Sequence, residues 1–158
     1  MEKLTLTSNL KNIAIVERFV EEICDNYNLQ DTYYGNILIA LTEAFNNAVS
    51  HGNQNDPNKK ITIMFDAGQK GLSFAISDEG EGFNPDNIPN PVDIADDAEA
   101  EKGRGLFLIR SLTDDVNFSD NGRTVEMVFE IEGIGQKTMK NRLKHFNQYF
   151  KQVNQKVK

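Results

Sequence analysis

Residues 61–76, ITIMFDAGQKGLSFAI, constrain the fold more than any other stretch of the chain. Ile61, Ile63 and Phe65 recur at every second position, as do Leu72, Phe74 and Ile76, and Gln69-Lys70-Gly71 between the two runs suits a tight turn. Period-two spacing places one set of side chains on one face of a strand. The two runs therefore predict a hairpin with one buried face. Such a face must be covered by another layer, and the flanking sequence supplies helices for it. Leu10, Ile13, Val16, Val20 and Ile23 stand at helical spacing behind a Ser8-Asn9 start signal, as far as about Tyr27. A second helix is expected from Asp31 to His51, stopped by Gly52 and the NQNDPNK turn. KLTLT at 3–7, Val116 with Phe118, and Thr124 to Ile131 read as further strands, the last two joined by an Asp120-Asn121-Gly122 turn. A short helix, LFLIRSL, follows Gly105. Helices on one side and mostly antiparallel strands in sequence predict an α+β two-layer α/β sandwich.

The 158 residues suit one domain of ordinary size, and 39% hydrophobic content suffices for a core. No apolar run approaches the roughly 18 residues of a membrane span, and MEKLTLTSNLKN lacks an apolar signal core. The single cysteine, Cys24, excludes a disulfide framework within the chain and a multi-cysteine metal site. A cytoplasmic location is expected. Seven of the 17 bases lie after Glu132, where there are no acids, so residues 1–132 carry ten bases against 24 acids, a net −14. A body of that charge is not drawn to nucleic-acid backbones.

Between Asn84 and Lys102 there is no periodicity, and Pro85, Pro89 and Pro91 precede DDAEAE. Long loops inside a compact domain are lids or disordered. The tail from Gly135 places Met139, Leu143, Phe146, Phe150, Val153 and Val157 at alternating intervals of four and three, a narrow coiled-coil-like seam of under three heptads. Its basic outer face suits a self-partner, an acidic partner or the acidic body of its own domain. Docking on its own body is the favoured expectation, because so short a helix is marginal alone.

Three polar stretches stand apart from the core pattern. In NILIALTEAFNNAVSHG, Ile37, Leu41, Ala44, Phe45 and Ala48 cluster on one side of the helix, with Glu43, Asn46, Asn47 and Ser50 on the other. Glu43 and Asn47, four residues apart, lie one above the other. A carboxylate and an amide there can orient a reacting hydroxyl and complete a Mg²⁺ shell, although a solvated helix face has the same pattern. In SDEGEGF, Asp78 ends a strand, and Gly80 and Gly82 allow a sharp turn and close approach of a ligand; a plain polar turn reads alike. In EKGRGLFLIRSL, Gly103 and Gly105 stand at a helix entrance with Lys102 and Arg104 interleaved. Free N–H groups and the positive dipole end at such a site suit phosphate, and a flexible loop leading into a packing helix is the simpler alternative. The chain has no GxxxxGK[ST], and neither a protein-kinase motif set nor a His-based triad or metal cluster is visible.

Taken in order, Glu43-x-x-x-Asn47, Asp78-x-Gly80-x-Gly82 and Gly103-x-Gly105-Leu106 resemble the N, G1 and G2 boxes of the Bergerat-fold ATPases. EAFNNAVSHG and GRGLFLIRSL look most like the anti-sigma-factor serine kinases of that superfamily, over roughly residues 3–132. The resemblance implies a histidine-kinase-like ATPase domain at 1–132, with an ATP lid at about 84–102, followed by a basic helical extension at 133–158. It implies that Asp78 accepts a hydrogen bond from the adenine amino group, with Gly80 and Gly82 beneath the base. Thr124 would assist through its hydroxyl and a water. Asn47 would hold Mg²⁺, Lys102 and Arg104 would contact the triphosphate of ATP, and Gly103 to Leu106 would close over it. Glu43 would be the general base. The implied substrate is a serine on a STAS-type antagonist protein, and the second partner is a sigma factor held inactive. Arg18 stands about where such proteins place a partner-contacting arginine. A homodimer is expected; direct nucleic-acid or membrane partners are not. A nucleotide-dependent binding module without kinase activity is the alternative. The acidic lid (Asp86, Asp93, Asp96, Asp97, Glu99, Glu101) departs from what would rest against phosphates without metal. His51 matches a histidine that often follows the N box, with no role assigned, and Glu79 and Glu81 read as solvated.

Overall fold

β2 (Lys60–Ala67) and β3 (Gly71–Ser77) form the hairpin that the alternation predicts, with Phe65 opposite Phe74. The computed structural model describes residues 1–87 and 98–156. β1 (Glu2–Thr7), β4 (Asp115–Ser119) and β5 (Thr124–Glu130) complete a five-stranded sheet in the order β1-β2-β3-β5-β4, every neighbour antiparallel. One face carries Ile61, Ile63, Phe65, Leu72, Phe74, Ile76, Met127 and Phe129, all buried. The residues between them on the central strands are half-buried on the opposite face, as expected of an antiparallel sheet covered on one side.

The cover is helical. Asn9 caps a short 3-10 turn at Leu10–Asn12 by accepting from the Lys11 amide at 3.0 Å, and α1 (Ile13–Asn26) follows, burying Val16, Val20, Ile23 and Cys24. Burial pushes the Cys24 thiol up to about 11, so it is held as an unreactive core group. α2 (Asp31–Asn47) packs beside α1 and buries Ile37, Ala40, Leu41, Ala44 and Phe45. The chain is a two-layer α/β sandwich whose core lies between the sheet and these helices.

The structure departs from the sequence expectation at three helices. α2 does not run unbroken to His51; Ala48–Gly52 forms a single π-helical turn instead, a local widening frequent at functional sites. α3 spans Ala98–Leu112, so it begins well before Gly105, and Gly103 and Gly105 lie in its interior. Alanine and glutamate at 98–101 propagate a helix readily, and two glycines cost only about 1 kcal/mol each, so the loop-like composition masked the first turn. α4 (Ile134–Lys156) forms, but not against its own body. Ile134 is fully buried, whereas Met139, Leu143, Phe146, Phe150 and Val153 are exposed. The apolar stripe is thus left uncovered by the body of the domain. Val157, Asp93, Asp96 and Asp97 lie outside the described residues.

Phe74 is fully buried, with its ring 5.1 Å from that of Phe65 and 6.0 Å from that of Phe129. Phe74→Ala is expected to cost about 3–5 kcal/mol of stability, measured as a lowered denaturant midpoint at unchanged slope.

Candidate functional site

A cleft opens where the end of α2, the loop after β3, the β4–β5 turn and α3 converge, and Asn47, His51, Asp78, Phe83, Lys102 and Arg123 line it. Its acid is Asp78. The Asp78 amide donates to the Arg123 carbonyl at 3.0 Å, extending the β3–β5 ladder by one bond. Its Oδ1 accepts from the Gly80 amide at 2.8 Å, which turns the chain back immediately. Desolvation raises the Asp78 pKa above the ordinary carboxylate value, and the Gly80 amide, Lys102, Arg123 and Lys59 only partly oppose it. A carboxylate held half out of water at the cleft wall retains acceptor capacity beyond the one bond from Gly80.

The loop around Asp78 is fitted to its neighbours without slack. A Cβ on Gly52 would stand 2.3 Å from Asp78 Oδ2, and one on Gly80 would stand 1.9 Å from the Gly52 carbonyl. The π-helical turn ends at Gly52 and so delivers a bare backbone against the carboxylate. Fully buried Asn53 then ties three segments together. Its Nδ2 donates to the Lys60 carbonyl at 3.1 Å and its Oδ1 accepts from the Glu79 amide at 2.8 Å. The exposed Glu79 side chain accepts from the Lys60 amide, so it fastens the loop to the start of β2 and is more than a solvated acid.

Arg123 holds the far side. Its Nε donates to the Gly80 carbonyl at 2.7 Å, its Nη2 to the Glu81 carbonyl at 3.3 Å and its Nη1 to the Asp120 carbonyl at 3.2 Å. Gly82, at φ +84°, lets the loop pass so close to the β4–β5 turn that a Cβ there would meet the Asn121 carbonyl at 2.2 Å, and the Phe83 amide donates to that carbonyl at 2.8 Å. One guanidinium thus staples two loops into a single wall.

The opposite wall is where α2 meets α3. Glu43 and Asn47 sit half-buried, one turn apart. A Cβ on Gly105 would lie 3.1 Å from Asn47 Nδ2 and 3.2 Å from both Asn47 Oδ1 and Glu43 Oε2, so α3 crosses close over the pair at a glycine, where a larger residue would push those side-chain ends aside. Asn47 Nδ2 is buried without a hydrogen-bond partner, an arrangement that costs about 1–3 kcal/mol unless something satisfies it. Lys102 stands over the Phe83 ring, 3.5 Å from its centre, and its charge acts on both Asp78 and His51. Burial first, then Lys102, lowers the His51 pKa, which keeps that imidazole neutral at pH 7.

Of the residues expected from sequence, the cleft gathers Asn47, Asp78, Gly82, Lys102 and Leu106, with Glu43, Gly80 and Gly105 in the walls just behind. Thr124 lies beside the site, its Oγ1 2.7 Å from Ser77 Oγ. Gly103 is buried within α3, and Arg104 is exposed and does not line the cleft. As interior helical residues, Gly103 and Gly105 direct their amides back along α3, not into open space. Sequence reasoning missed Gly52, Asn53 and Arg123 as parts of the site. The HGN triplet at 51–53 reads as a helix stop, and an arginine after Asn-Gly reads as a turn's solvated edge.

Arg123→Ala should destabilise the fold by about 1–2 kcal/mol and speed hydrogen exchange at residues 79–83 and 120–122 ahead of the β3 amides. Asp78→Asn removes a charge that the fold desolvates while keeping an acceptor for the Gly80 amide. Its melting temperature at pH 7 should equal or exceed that of the native chain, and a raised carboxylate pKa fixes that sign, because the ionised form is the one the folded state disfavours.

A family model of the histidine kinase-like ATPase domain matches residues 6–129. A serine-protein kinase RsbW of Listeria monocytogenes is 34% identical over 97 residues, covering 58% of this chain and 62% of that protein. The Bacillus subtilis protein of the same name is 32% identical over 103 residues, covering 61% of this chain and 64% of its own. A Bacillus cereus counterpart is 27% identical over 153 residues, covering 93% and 95%. The match to the first two thus spans less than two thirds of their length. Among solved structures, the histidine kinase domain of a blue-light activated histidine kinase from Erythrobacter litoralis aligns at a TM-score of 0.48 and 13% identity, covering 84% of this chain and 64% of that one. With the cleft walls falling inside the matched span, the chain belongs to the histidine kinase-like ATPase domain family.

Proposed function

We propose that the chain is an ATP-dependent serine kinase of the anti-sigma-factor type, acting on a STAS-type antagonist protein and holding a sigma factor inactive. The observation that carries this reading is that a desolvated carboxylate, Asp78, and a buried amide donor without an acceptor, Asn47 Nδ2, line one cleft, the donor suiting a phosphate oxygen. Asp78 would accept from the adenine amino group. Among the described residues no cluster of three or more His, Cys, Asp or Glu could hold a metal. An ion here would rest on the Asn47 amide oxygen, phosphate oxygens and water, which suits Mg²⁺; when bound, it would neutralise charge on the phosphates. Glu43 would take the proton of the attacking serine hydroxyl as the γ-phosphoryl group leaves ADP. Arg18, exposed on α1, remains the proposed partner contact.

The cleft encloses only about 50 Å³, against the ~300–1,000 Å³ of small-molecule sites. In this reading the start of α3 gives way as the nucleotide binds. Its weakest point is Lys102-Gly103-Arg104-Gly105, where two glycines make helix least favourable, by about 1 kcal/mol each. Unwinding up to Gly105 would free the amides of 103–106 at a new helix N-terminus and let Lys102 and Arg104 reach the phosphates.

Titration with ATP and Mg²⁺ should show saturable binding that Asp78→Asn weakens by about 10- to 100-fold. Affinity should fall on acidification, starting at a higher pH than an exposed aspartate would give, because the raised pKa lets Asp78 protonate sooner. Native affinity in Asp78→Asn would refute the adenine assignment. With labelled ATP and the STAS-type protein encoded nearest to its gene, Glu43→Ala should slow serine labelling about 100-fold or more at unchanged ATP affinity. ATP binding with no labelling by the native chain would instead identify a nucleotide-dependent binding module.

A further inference from the structure

We infer that α4 is a surface-binding helix for anionic lipid bilayers. Its apolar stripe is uncovered: Met139 is 65% exposed, Leu143 55%, Phe146 57%, Tyr149 63%, Phe150 48% and Val153 38%. These residues recur along one side of a 23-residue helix, about 34 Å long at 1.5 Å per residue. Phe146 packs on Phe150, with ring centres 4.7 Å apart, and Tyr149 stands edge-on to Phe150 at 6.2 Å, which makes an aromatic patch with one polar tip. Lys140, Lys144 and Lys151 flank the stripe and line a shallow groove with Leu143. No acid follows Glu132 in the sequence.

The occupant must therefore be negative and must accept apolar side chains. A second copy of α4 meets the apolar requirement but not the electrostatic one, since every charge that it would bring to the seam is also positive. A partner helix in a coiled coil would need at least three to four heptads, and the seam has fewer than three, with phenylalanine where leucine, isoleucine or valine make tight pairs. An anionic bilayer surface takes the helix lying flat, with phenylalanines in the acyl boundary, tyrosine at the headgroups and lysines on the phosphates. Surface binding of this kind needs no membrane span, and the proposal here departs from the expectation from sequence of no membrane partner.

Flotation of the full-length protein with vesicles tests this. Vesicles of mixed phosphatidylcholine and phosphatidylglycerol should carry the protein upward, and phosphatidylcholine alone should carry about tenfold less or lower still. High salt should release it. Phe146→Asp with Phe150→Asp, and separately Lys140→Glu with Lys144→Glu and Lys151→Glu, should each abolish flotation while leaving the melting temperature unchanged, since all five side chains are exposed. Failure of the native chain to float, equal flotation on neutral vesicles, or unaltered flotation of the lysine variant would overturn the inference. So would a native dimer that Phe146→Asp with Phe150→Asp dissociates while neither form floats, which would assign the stripe to a second copy.

Discussion

The half-buried carboxylate of Asp78 sets the terms for the segments around it. A charge withdrawn from water needs either a partner or a reason, and here the Gly80 amide and the charges of Lys102, Arg123 and Lys59 offset the desolvation only in part. Everything near it is arranged to hold that group open without quenching it. Gly52 contributes backbone where any side chain would collide. Asn53 anchors the loop from below, and Arg123 fastens it from the side through carbonyls, not through the acid itself. An arginine paired directly to Asp78 would have been more stabilising locally and would have consumed the acceptor.

The second wall follows a different logic. Glu43 and Asn47 are a stacked polar pair on a helix whose other side is core, and α3 lies over them through Gly105. The contact leaves the pair half-buried and one amide hydrogen-bond donor unmet. The unmet donor is a cost of the kind that functional sites carry and packing alone would remove. Under the proposed function that cost has a use in nucleotide chemistry.

The sheet and the two covering helices were legible because their signal is repetition: Ile61 to Phe65 and Leu72 to Ile76 at period two, Val16 to Ile23 at helical spacing. Asp78, Gly82 and Asn47 were legible as motif positions. What escaped notice depends on contacts between segments far apart in sequence. Gly52 matters only because Asp78 arrives beside it from residue 78, and Arg123 only because the carbonyls of Gly80 and Glu81 lie within its reach. The extent of α3 escaped for a local reason, since glycine and charge read as loop when helix costs little more. Exposure of α4 could not be read at all, because amphipathic spacing names a face and not its neighbour.

The π-helical turn at Ala48–Gly52 has a consequence for what lengths of chain are permitted there. A π-turn holds one residue more than the α-turn it replaces, and here the surplus lies between Asn47, which faces the cleft, and Asn53, which is locked at both ends of its amide. Removing one residue would restore a regular helix and rotate everything after it by about 100°, carrying Gly52 off Asp78 and Asn53 off its two anchors. Adding one would do the same in the other sense. The five residues between Asn47 and Asn53 thus form a fixed ruler.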